Sequence, residues 1–173
     1  MKNLLSILFI FCFSLAKSQG VVQQFSEQTG GTKNGAIMMS ISGKMLKMSV
    51  EEKDENKEFL AFISKIKKMS FLTNKEVTDE DRKKLKKLLA PFDELLSVEE
   101  NEMTTSMFVI EKDGITSNFV MLVDYDKYLN IMELTGNIDL ELMAKLPTDM
   151  SVSGTDFSKS LEKLKNIKNK NKK

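Results

Sequence analysis

The stretch "MTTSMFVIEKDGITSNFVMLVD", residues 103–124, constrains the chain more than any other. Asp113-Gly114 is the preferred pair for a two-residue turn whose central positions take positive φ, so the flanking runs are predicted to pair as a hairpin. Pairing outward from that turn sets Phe108 opposite Phe119 and Met107 opposite Val120. Both faces of this hairpin are apolar, with Phe108, Ile110 and Phe119 set against Met107, Val109 and Val120. A sheet built on it has no side suited to water. Either helices cover both faces or one face is an interface.

The neighbouring segments supply the rest of the architecture. "DYDK" turns the chain into "YLNIMELT", a third strand over 128–135, and "DLELMAKL" follows as a helix ended by Pro147. Upstream, Thr78 before Asp79, Glu80 and Asp81 is a capping-box start with acidic groups at the positive helix end. Behind it Leu85, Leu88, Leu89, Phe92, Leu95 and Leu96 share one helical face. Pro91 interrupts the run, yet the apolar phase survives it, so a kink is expected there. "KEFLAFISKIKKMSFLTN" begins at helical spacing and shifts to a strand pattern, while "AIMMSISGKMLKMSV" reads as a short strand followed by a short helix. "EEKDEN", residues 51–56, reads as a charged loop. The expected fold class is α+β: an antiparallel β-sheet (hairpin 103–124 plus strand 128–135) packed with amphipathic helices, which are expected against one face.

At the N-terminus, Lys2 precedes an apolar run from Leu4 to Ala16, and "AKSQ" places small residues before Gln19. This is the pattern of an export signal, a mainly apolar run of thirteen residues against the about 20 that a membrane span needs. The predicted organisation is a signal peptide at 1–18, a flexible Gly/Gln/Thr-rich leader at 19–35, a single α+β domain at 36–150 and a basic Lys/Asn-rich tail at 151–173. The expected location is the periplasm or cell envelope, or the medium. Cys12 is the single cysteine and follows Phe11 and Ile10, which is a poor setting for lipidation. Removal of the signal leaves a chain without cysteine, histidine or tryptophan, held by its core rather than by disulfides.

Charge is unevenly placed. Without Lys2 and Lys17 the chain has 24 basic and 25 acidic residues, of which the tail from Lys159 to Lys173 takes seven lysines and one glutamate. An acidic body therefore ends in a basic tail, which could touch anionic lipid or a cell-wall polymer. "RKKLKK", residues 82–87, reads as the solvated face of the amphipathic helix, supported by Glu80–Lys84 and Asp79–Lys83 spacing.

The residue types present exclude much chemistry. The absence of histidine and mature cysteine removes the common nucleophile–base pairs and the preferred zinc ligands. Ser160 and Lys163 match S-x-x-K without any companion motif. "SGK" at 42–44 lacks the first glycine of a phosphate loop. The carboxylate pairs Asp93/Glu94 and Glu99/Glu100 read as solvated surface. "GNIDLE", with Asn137, Asp139 and Glu141, has its glycine in the wrong place for a calcium loop and reads as a corner. Asp139 caps the helix and Ile138 packs on Met143. Asp124, Asp126 and Asn130 in "DYDKYLN" read as a turn, with Leu129 where a cation loop needs glycine. Met38, Met39, Met45 and Met48 cluster in sequence; soft thioethers suit Cu(I), but methionine also builds adaptable contact surfaces. No catalytic, cofactor-binding or metal-binding residue is expected.

Taken together, "MSISGKMLKM", "KIKKMSFLTN", the leucine-rich helix, the hairpin and "LNIMELTGNIDLELMAKL" resemble the exported Bacteroidetes family catalogued as domain of unknown function 4252. The resemblance covers roughly residues 35–147 and rests on packing and turn motifs, so it implies a fold and brings no functional residues with it. Family members include proteins with lipoprotein signals, from which this chain departs at Cys12. The reading that follows is an exported, non-enzymatic interaction module whose sheet or Met-rich segment contacts another envelope protein, with no nucleic acid involved. Alternatives are a surface-association protein held by its basic tail and a Met-based copper carrier.

Overall fold

The computed structural model describes residues 19–31, 35–50 and 57–145, together with the pairs 151–152 and 155–156. Residues 1–18, expected as an export signal, the charged stretch 51–56, Ser160 with Lys163, and the lysine-rich tail beyond 156 lie outside the described residues.

In chain order the elements are α1 (Val21–Gln28), β1 (Ile37–Ser42), α2 (Gly43–Met48), α3 (Lys57–Ser64), β2 (Ile66–Asn74) and α4 (Asp79–Leu89). They continue with β3 (Asp93–Glu100), β4 (Met103–Lys112), β5 (Ile115–Tyr125), β6 (Tyr128–Ile138) and α5 (Leu140–Lys145). A two-stranded ribbon, β7 (Ser151–Val152) with β8 (Thr155–Asp156), follows. The main sheet has six strands in the order β1-β2-β6-β5-β4-β3, and every neighbouring pair is antiparallel. This is the expected α+β class.

The hairpin forms about Asp113-Gly114, both at positive φ (54° and 73°). Its register differs by one from simple outward pairing: Phe108 faces Val120, Val109 faces Phe119 and Met107 faces Met121. The cause is a bulge, since Ile110 pairs Asn118 but Glu111 pairs Thr116. Ser117 is the extra residue, and its Oγ donates to Ile110 O at 3.3 Å. The slip decides which side chains meet, because odd and even positions face opposite ways.

Two clusters fill the two faces. On one, Met107, Val109, Phe119, Met121, Met132 and Leu134 pack with Phe62 and Ile63 of α3 and Met143 of α5. On the other, Leu72, Val120, Leu122, Leu129 and Ile131 pack with Val22 and Phe25 of α1 and with Leu85 and Leu89 of α4. Helices therefore lie on both faces, not on one. This answers the choice posed by the two-sided apolar pattern of the hairpin. The segment 19–35, expected as a flexible leader, instead supplies α1, whose Val22 and Phe25 are fully buried.

Three boundaries also differ from the pattern reading. The apolar phase continues through Pro91 as a strand: α4 stops at Leu89, Phe92 N donates to Leu89 O at 2.9 Å, and "DELLSVEE" becomes β3. Proline has no N–H to continue the helix, and a free hairpin edge was available to pair with. β6 runs to Ile138 rather than 135. Against β2 the extra residue is Lys67, between Ile66/Gly136 and Lys68/Thr135, whereas against β5 the register shifts between Thr116/Ile138 and Asn118/Thr135, so Gly136 and Asn137 lie at a bulge within β6 rather than at its end. The hairpin strands run to Tyr125, one residue beyond the predicted end.

Two carboxylates hold helix starts. Thr78 and Asp81 form the predicted capping box, with Asp81 N donating to Thr78 Oγ1 at 3.2 Å and Thr78 N to Asp81 Oδ2 at 3.2 Å. Asp139 Oδ1 accepts from Glu141 N at 3.1 Å and Leu142 N at 3.0 Å, as expected of the corner. Burial works to raise the pKa of Asp81, but the bonds from Thr78 and the nearby Lys84 outweigh it and leave the pKa below its ordinary value. At Asp139 the Leu142 N–H is the chief cause of a lowered pKa, with Lys65 assisting. Depressed folded-state values mean that the unfolded chain binds protons first, so this stabilisation is complete above the unfolded carboxylate range of about 4 and fades as pH falls through the folded values. The expected result is a denaturation midpoint that is flat near neutrality and falls below about pH 4. Thr78→Ala with Asp139→Asn should flatten part of that acid slope when urea titrations are repeated across pH.

Candidate functional site

Among the described residues, the second face buries one acidic side chain among apolar ones. Glu133 alternates in β6 with Ile131 on the face covered by α1, is 3% exposed, and stands in register between Ser70 of β2 and Val120 of β5. Its Oε1 accepts from Val21 N at 2.9 Å and its Oε2 from Val22 N at 3.2 Å. The helix that the sequence hid as a leader is thus capped by a carboxylate over 100 positions away. A Cβ at Gly20 would overlap the Glu133 carboxylate, which would then have to shift from Val21 N and Val22 N. A lone acid inside "YLNIMELT" was the available signal, and pattern reading passed over it.

The sheet's two edges differ. β3 carries Asp93, Glu94, Glu99 and Glu100, a charged edge of the kind that discourages strand addition. β1, "IMMSIS", has neither charge nor proline, and no strand lies on its outer side among the described residues. Ile37, Met38 and Met39 of β1 are 63%, 40% and 43% exposed, and Met45 and Met48 of the adjoining α2 are 64% and 77% exposed. The Met-rich segment is therefore surface rather than core. It gathers at one edge, held by Ser42 Oγ accepting from Met45 N at 3.3 Å and by the buried Gly43 at the start of α2. Strand alternation points Met38 and Met39 to opposite sides of β1, so these two thioethers do not face one ion.

The remaining sequence candidates separate in space. Asp124 is held by Arg82, with Nε to Oδ2 and Nη2 to Oδ1 both at 2.9 Å, and Arg82 also reaches Asp126 O and Asp79. Bonding to Asp124 raises the Arg82 pKa. Asn130 lies on the opposite face from Asp124 and accepts from Thr73 Oγ1 at 2.7 Å. The "DYDKYLN" oxygens consequently form no cation loop. Lys84 contacts Glu80 at 3.5 Å, as its spacing predicted, and also Asp81 at 3.5 Å, while Asp79, expected to face Lys83, meets Arg82 at 3.4 Å. Among the described residues there is no group of three or more Asp and Glu poised to hold a metal ion.

A six-stranded antiparallel sheet between two helical layers, with one acidic and one apolar edge, defines a small α+β domain whose distinctive surface is an edge. Residues 31–146 match the family described as Domain of unknown function (DUF4252), and the chain belongs to that family. No protein of curated function matches the chain, and no solved structure does.

Proposed function

We propose that this chain is an exported, non-enzymatic interaction module that takes a strand of a partner protein along β1. The supporting observation is the asymmetry of the sheet edges: the outer side of β1 is uncharged and flanked by exposed Ile37, Met38, Met39, Met45 and Met48. Strand addition gains main-chain hydrogen bonds for affinity, and flexible thioethers mould to the partner's side chains. The export-type N-terminus makes an envelope protein the expected partner class.

The test is capture from native envelope extract by wild-type chain and by a Met39→Lys/Met45→Lys variant, with folding followed by circular dichroism. Both side chains are exposed, so the variant should lose less than about 0.5 kcal/mol of stability. A partner retained by wild type and reduced about tenfold or more by the variant supports the edge, since a lysine on an edge strand opposes pairing. Equal retention by both chains defeats the reading.

A further inference from the structure

On the second face α4 does not cover the whole sheet. Because Pro91 stops the helix, the chain turns away through Phe92 and leaves β4 and β5 emerging from beneath α4. A groove of about 800 Å³ lies there, within the about 300–1,000 Å³ typical of small-molecule sites. Its floor is Leu85, Leu89, Phe92, Phe108, Leu122 and Leu129. Phe92 and Phe108 are half-buried, so their rings are partly open to an occupant.

The groove's charges are biased. Lys83, Lys86 and Lys87 line one flank and make no ion pair with the described residues. Lys84, one position away, is turned to Glu80 and Asp81 instead. Of the two acidic residues at the groove, Asp124 is neutralised by the two-pronged Arg82 contact, which leaves Glu94 alone against three lysines. The sheet backbone beneath is paired in β4–β5–β6, so an entering peptide would find few partners for its own amides. An acyl chain needs none.

The geometry points to a binding site for a single-chain anionic amphiphile, a long-chain carboxylate taken up as a monomer, with its chain over Phe92, Phe108 and Leu122 and its head on the α4 lysines. This is independent of the β1 edge, which lies at the far side of the sheet.

The experiment uses the full chain and the fluorescent fatty acid cis-parinarate, displaced by palmitate below its micellar range. Saturable one-to-one binding is expected, with hexadecanol, the uncharged analogue, about tenfold weaker or more. Lys83→Glu, Lys86→Glu and Lys87→Glu together should weaken palmitate about tenfold and leave hexadecanol unchanged. Phe108→Asp should weaken both. The lysines are exposed, so the triple variant decides the matter even if Phe108→Asp fails to fold. Absence of saturable displacement, equal binding of palmitate and hexadecanol, or palmitate binding indifferent to the lysines overturns the proposal. Sedimentation with anionic vesicles without monomer binding also overturns it and assigns the lysines to a membrane surface.

Discussion

Replacing Glu133 with alanine should release α1 from the sheet and cost about 3 kcal/mol, because it leaves Val21 N and Val22 N without their buried acceptor and opens a void beside Val120. Two effects combine: the loss of charge-assisted bonds at a positive helix end and the burial of unpaired donors. Glu133→Gln tests which matters more. Its amide keeps the shape and one carbonyl acceptor but turns an N–H₂ toward the second donor, so about half the loss is expected. Urea denaturation supplies the two free energies, and hydrogen exchange at residues 21–28 locates the change. Faster exchange confined to α1, in the order alanine above glutamine above wild type, is the expected pattern. Unchanged protection of α1 in the alanine variant would show that apolar packing of Val22 and Phe25 alone holds the helix.

The same residue shows why part of the fold was legible and part was not. Local chemistry gave the hairpin turn at Asp113-Gly114, the Thr78–Asp81 box and the Asp139 cap, each determined by residues within a few positions of one another. α1 is of another kind. "VVQQFSEQ" is a short, polar segment of weak helical preference, and its stability comes from Leu72, Val120 and Glu133, which are distant in sequence. The Pro91 boundary failed for a related reason. Leucines at 95 and 96 satisfy a helical stripe, but β3 was decided by the open edge of β4, a tertiary fact. The register slip at Ser117 is likewise invisible to turn counting, since a bulge adds a residue without altering the alternation expected on either side.

For the contact surface, sequence supplied the cluster of methionines but not their exposure. A core of the same composition would show a similar list of residues. What separates the readings is the sheet order, which places β1 at an edge and buries other methionines, Met107 and Met121, at its centre. The groove under α4 was hidden by the helix-through-proline expectation, which would have laid Leu95 and Leu96 over the space that Phe92 and Phe108 now border.

Gly43→Ala should be comparably severe, at about 3 kcal/mol and roughly 10 °C in melting temperature. Gly43 begins α2 directly after β1, is buried, and lies against the chain where α3 gives way to β2. A Cβ there would overlap the Ile66 carbonyl oxygen and stand 2.8 Å from its carbon. Neither obstacle is a side chain able to swing aside; both belong to the backbone of a strand paired on its two sides. Relief therefore requires α2 to move off the sheet, carrying Met45 and Met48 with it. Gly35→Ala is the control. It has positive φ (79°) but open space around the added carbon, so only the conformational cost of about 1 kcal/mol applies. Thermal melts of the two variants separate a packing requirement from a conformational one. If the β1–α2 edge is the contact surface, Gly43→Ala should also lower partner retention below the melting transition while Gly35→Ala leaves it intact, because only the former displaces the methionines from β1.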